Sequence, residues 1–269
     1  MIMTKLGRRS RTSVLAATAL AAATVLTGNS APLAGESFLI PGVALSDADF
    51  AVGGWCHYLV VDEIMGESDS TTVMVAVTGR TQTSRGEAYW VELDSGPAGA
   101  PRSERETAKA LILSSIKDIS PGDSLGEFIP ELYIRKGEGV AEQADPGDIE
   151  RLNLSNPTSD SSWTDTAGVT VQTPNGRLIC DQKHLVVEDK REIPMGSVTL
   201  VKNDADVYDI WFSEEVPVFH LVKSVIERVR DSRTVPAIPG IPDKGREVTR
   251  TTVELLGYGF DATSRLDVP

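Results

Sequence analysis

The residues able to do chemistry in this chain are few, and their spacing does not suit it. Histidine occurs only at positions 57, 184 and 220, and cysteine only at 56 and 180. Cys56, His57, Cys180 and His184 together offer two thiolates and two imidazoles, the donor set of a closed tetrahedral zinc site. Adjacent residues on a strand point to opposite faces, so Cys56 and His57 do not converge on one ion. Cys180 and His184 would share a face, but roughly 13 Å apart at the usual strand rise. Only a turn between them would bring that pair together. The expectation is no metal site and no cofactor.

Covalent catalysis needs a nucleophile, a base and a group that orients the base. The chain has no Gly-x-Ser-x-Gly elbow, Gly-rich phosphate loop, His-Glu-x-x-His helix or calcium loop. Paired carboxylates are plentiful, as in Asp62-Glu63 and Glu214-Glu215. With 39 acidic residues against 26 basic, and a net charge of −13, such pairs read first as solvated surface. A hydrolase built on clustered carboxylates is the remaining enzymatic reading; no catalytic residue is assigned. The same charge argues against nucleic acid and anionic lipid heads as partners, because both need clustered Lys and Arg.

The opening residues give the address. Lys5, Arg8, Arg9 and Arg11 form a basic head, Val14 to Leu26 an uncharged apolar run, and Thr27 to Ala34 a zone of small residues. That order is a secretory signal peptide, and the run is too short for the roughly 20 residues of a membrane span. Residues 1–34 are therefore expected to be removed, leaving 35–269 soluble in the periplasm or outside the cell. In an oxidising compartment Cys56 and Cys180 would form a disulfide. Closing so long a loop is worth about 4–5 kcal/mol in the chain-entropy model. Two buried free thiols are the alternative.

The elements around these residues read mostly in period two. Tyr58–Val61, Thr71–Val77 and Ala88–Leu93 have the β-branched and aromatic composition of strands. Turns are expected at 66–70 and 79–86. Residues 104–119 fit a helical stripe and a strand equally, as do 218–230. Phe128–Arg135 reads as a strand. The stretch 141–168, rich in Asp, Ser, Asn and Pro, reads as one long exposed loop. Beyond it, 168–171, 177–180, 184–187, 197–201, 207–212 and 251–260 read as further strands, with a turn at Pro174-Asn175-Gly176. Trp55, Trp90 and Trp211 lie in or beside these strands, and Trp163 does not. Ordinary core packing accounts for them, although on a concave sheet they would line an apolar ligand cavity.

One set of motifs goes further. Pro174-Asn175-Gly176-Arg177-Leu178-Ile179-Cys180, then Val207 to Lys223 (VYDIWFSEEVPVFHLVK), then Glu254-Leu255-Leu256-Gly257-Tyr258-Gly259 resembles a group of exported bacterial proteins of unassigned function. Trp55-Cys56-His57-Tyr58 and Tyr89-Trp90-Val91-Glu92 fit the first half of the same group. His220 stands where that group commonly has a small, glycine-like residue. The group is similar in architecture to the outer-membrane lipoprotein carriers (LolA-like proteins), an unclosed antiparallel barrel over an apolar hollow. The resemblance tips 106–113 and 221–229 toward strand. It implies one mainly-β domain over 35–269, a strongly curved antiparallel sheet or unclosed half-barrel with one or two short helices. The function expected is non-enzymatic: an apolar or lipid-like ligand, or a partner protein, held in the concave face. The alternative is a structural or interaction protein of the envelope without ligand.

Overall fold

The structure, a computed structural model, describes residues 50–118, 125–150, 164–236 and 245–268. The expected signal peptide and residues 151–163 of the expected loop lie outside these. Eleven strands form one sheet: β1 (Trp55–Ile64), β2 (Glu67–Thr83), β3 (Gly86–Pro97), β4 (Glu106–Leu113), β5 (Glu131–Lys136), β6 (Glu142–Gln143), β7 (Thr164–Thr173), β8 (Gly176–Met195), β9 (Val198–Phe212), β10 (Leu221–Val235) and β11 (Gly245–Gly259). Their order is β6-β5-β4-β3-β2-β1-β11-β10-β9-β8-β7. Every pairing is antiparallel, and the sheet does not close into a barrel. A single α-helix, α1 (Pro146–Glu150), and three 3-10 turns complete the described residues.

Alternation builds the core. Cys56, Tyr58 and Val60 of β1 point to the same face as Val73, Val75 and Val77 of β2, Val91 and Leu93 of β3, and Ala108, Ala110 and Ile112 of β4, all buried in one cluster. Burying each such large side chain stabilises the fold by about 1.5–3 kcal/mol. Both ambiguous segments resolve as strand. Residues 106–113 are β4, followed by a 3-10 turn (Ser114–Asp118) whose Ile116 is buried; 221–235 are β10. The tie is broken by neighbours: β4 pairs with β3 and β5, and a helix there would orphan both ladders.

The strands run further than alternation predicts. Residues 177–180 and 184–187 belong to one strand, β8, of 20 residues. Residues 197–201 and 207–212 are likewise one strand, β9. The turn expected at 79–86 shrinks to Ser84-Arg85, because β2 continues to Thr83 past a register shift between Val77 and Gly79. The stretch 141–168 is regular at both described ends, with β6 and α1 before and β7 after, and Ile149 of α1 is buried. The β7–β8 hairpin turns back over the sheet; a Cβ at Gly257 of β11 would lie 3.5 Å from Nδ2 of Asn175.

Between β9 and β10 the chain makes a compact bend held by Ser213 N–H donating to His220 O at 2.8 Å. Val216, Val218 and Phe219 in it are fully buried. Val218 (φ 72°) and His220 (φ 56°) are left-handed, a conformation that costs a residue with a Cβ roughly 1–2 kcal/mol. His220 thus occupies a backbone position suited to glycine. Its ring Nδ1 lies 2.8 Å from Val216 O, a bond glycine lacks.

Candidate functional site

The thiols and imidazoles do not assemble. Cys56 and His57 lie on opposite faces of β1, with Cys56 in the core cluster. No turn separates Cys180 from His184, because β8 is continuous there. No group of three or more His, Cys, Asp or Glu able to hold a metal ion occurs among the described residues. Both cysteines are free thiols in the structure. Cys56 Sγ donates to Pro217 O at 3.0 Å, and Cys180 Sγ lies 3.9 Å from Leu178 O. Burial pushes the Cys56 thiol up to about 12, partly offset by Tyr58. Burial, then the carboxylates of Asp181 and Glu215, push Cys180 up to about 11. Neither is poised as a nucleophile, which needs an accessible thiolate.

His184 makes the one histidine–carboxylate pair among the described residues. Its Nδ1 lies 2.9 Å from Oδ1 of Asp209, which also accepts from Gln182 Nε2 at 3.0 Å. These are cross-strand neighbours on β8 and β9. Burial, then the Arg105 guanidinium, lowers the His57 pKa below its usual 6.5.

Among the described residues, side chains cover the core face. Phe50, Ile116, Ile129, Ile149, Val216, Val218 and Phe219 pack onto it from the connecting segments, in the same cluster as the strand residues. One open cleft, about 660 Å³, has Glu63, Glu67, Glu227, Arg246 and Arg250 in its wall together with Met65 and Val248. Another, about 60 Å³, lies between Val171–Pro174 and residues of β10 and β11. Trp55, Trp90 and Trp211 are only partly buried and line neither cleft.

The most developed polar arrangement sits on the opposite face, where sequence reasoning saw only solvent. β4 is buried on both sides, and its outward Lys109 is 8% exposed. Lys109 Nζ faces Glu92 Oε1 of β3 at 3.4 Å and stands 5.4 Å over the Trp90 ring. Glu92 is 4% exposed. The cover is the segment after β11. Lys109 Nζ donates to Ser264 Oγ and to Leu266 O, each at 2.8 Å. The Glu92 carboxylate accepts from the backbone N–H of Arg265 at 2.8 Å and of Leu266 at 3.4 Å, and from the Ser264 hydroxyl. Arg135 Nη1 of β5 donates to Arg265 O at 3.4 Å. Beside this clamp, Arg105 pairs with Asp94 and donates to Thr72 Oγ1 at 2.9 Å. A buried pair of this kind is held by its hydrogen bonds; removing one partner typically costs about 3–5 kcal/mol. A signal was present in the sequence: a lone lysine in the apolar run Ala108–Leu113, and a lone glutamate in Tyr89–Leu93.

No family model and no curated protein matches the chain. Among solved structures, a candidate lipoprotein from Parabacteroides distasonis ATCC 8503 aligns over 77% of this chain and 98% of its own, at 11% identity and a TM-score of 0.29. A likeness that loose carries no argument about function.

Proposed function

We propose that this is a non-enzymatic interaction protein that works outside the cytoplasm without a small-molecule ligand. The observation that carries the reading is the filled core face: Phe219, Val218, Ile116 and Ile129 occupy the space in which a carrier would keep its hollow. Interiors packed this way leave no room for an acyl chain. The groups with chemical potential are also committed to structural bonds, His184 to Asp209 and the Lys109–Glu92 pair to the closing segment. Export rests on the basic, apolar, small order of residues 1–34. No helix among the described residues is long and apolar enough to cross a membrane.

One experiment separates this from the carrier-like reading, with an apolar or lipid-like ligand on the concave face. Native mass spectrometry of freshly purified protein should give the bare chain mass, and a fluorescent fatty probe should show no saturable binding. Co-purified lipid, or a probe that saturates and is displaced by fatty acid, would return the function to ligand carriage.

A further inference from the structure

We propose that the outer face of β3–β5 is a binding site for a short bent peptide segment, and that its present occupant, Ser264-Arg265-Leu266, exchanges for the same segment of a second copy of this chain. The site reads backbone. Glu92 accepts two successive N–H groups, Lys109 donates to the carbonyl of Leu266, and Arg135 donates to the carbonyl of Arg265. Only two side chains of the occupant are used: the Ser264 hydroxyl, between Lys109 and Glu92, and Leu266, which is 1% exposed. The occupant is bent at Arg265-Leu266, with Ser264 Oγ 3.0 Å from Leu266 O, so the chemistry recognised is a bent hydroxyl-x-Leu segment. Ionised side chains aimed at main-chain groups are a mode of peptide capture, because charge-assisted bonds are stronger than neutral ones.

Two observations point to exchange rather than a fixed strand. Residues 261–268 form no strand, so no sheet ladder holds them. The fit is also incomplete: Arg135 Nε is buried without a hydrogen-bond partner, and the guanidinium's bonds to Arg265 O and Thr107 Oγ1 are long, at 3.4 and 3.3 Å. A second copy supplies the same segment to the same contacts, the low-cost route by which a chain dimerises through its own element. This deepens the interaction-protein reading, but its test is separate, since lipid on the core face would leave the outer site untouched.

The experiment uses a chain shortened after Phe260, checked for native circular dichroism, and a synthetic peptide of residues 260–269 followed by tryptophan emission. Saturable binding is expected, at least tenfold weaker for the Leu266→Asp peptide and for shortened chains carrying Glu92→Gln. A folded shortened chain that does not saturate, or that binds both peptides alike, overturns the proposal. If the shortened chain does not fold, the full chain decides. Two mass-labelled populations refolded together at high concentration should give mixed dimers in native mass spectrometry, at least tenfold fewer with Leu266→Asp. Monomers only, or dimers undiminished in the variant, overturn it.

Discussion

Cys56 and Cys180 show how burial decides the chemistry of a residue. A thiol reacts as thiolate, and both are held far above neutral pH, at about 12 and about 11, chiefly because a charge there would lose its water. Iodoacetamide at pH 8 should leave both unmodified in the folded chain, and denaturation without reductant should then release two titratable thiols. A count of zero after denaturation would mean that the exported chain joins Cys56 to Cys180. The Lys109–Glu92 pair makes the complementary point. Buried polar groups need hydrogen-bond partners, and five hydrogen bonds to four groups of the closing segment make these two side chains an ordered clamp.

At the scale of elements, the long strands are held by different forces along their length. Near the core they alternate apolar and polar. Beyond it, β8–β10 carry a small apolar cluster of Leu185, Tyr208 and Ile226, and charged pairs accompany it on the same strands. Arg230 pairs with Asp206 across β10 and β9, and Arg191 with Asp189 along β8. Cross-strand pairs contribute roughly 0.2–1 kcal/mol each, enough when every backbone group already has a ladder partner. The side of β8 beyond Leu185 has no strand partner among the described residues. It carries Glu188, Asp189, Lys190, Arg191, Glu192 and Pro194, charges and a proline that discourage edge-to-edge association. The β1–β2 turn holds a correctable defect. Met65 (φ 51°) and Gly66 (φ 85°) are both left-handed, the two-residue hairpin geometry that favours Asn-Gly, and Met65 is 79% exposed. Met65→Asn should raise stability in urea by about 1 kcal/mol, and Met65→Val should lower it; no difference between the two would mean that this turn carries no strain.

For the whole molecule, pH sets groups of opposite sign against each other. The folded-state pKa of His57 lies below 6.5, from burial first and then Arg105. The folded chain therefore binds fewer protons there than the unfolded one, and stability falls as pH drops below 6.5 toward the folded value. Asp62 and Glu106 are raised above 3.8 and 4.5, by burial first; for Asp62 the facing Asp69 adds to this. Their folded forms hold more protons, so stability falls as pH rises from those values through the raised ones. The slopes oppose each other on the acid side of neutrality and flatten the wild-type curve. Denaturation midpoints should separate them. His57→Gln should lose less stability than wild type between pH 7 and 5. Asp62→Asn should be more stable at pH 7, with Thr251 Oγ1 still donating to the amide oxygen, and lose that advantage below pH 3.8. An Asp62→Asn curve parallel to wild type would show that burial at this site costs the carboxylate nothing.

What the residues determined alone is what depends on near neighbours. Alternation in 58–61, 71–77 and 88–93 made the antiparallel sheet legible, and Pro174-Asn175-Gly176 marked a hairpin that the structure contains. Where the local pattern was silent or two-valued, pairing decided. Polar runs such as Glu188–Glu192 became strand because β9 lay alongside, and 106–113 became strand because β3 and β5 did. Tertiary structure alone filled the core face with the bend 213–220 and brought residues 264–266 onto Glu92 and Lys109. Periodicity says which side chains share a face. It carries no information about which distant segment covers that face, because that is settled by burial and hydrogen-bond satisfaction between parts of the chain more than 150 residues apart.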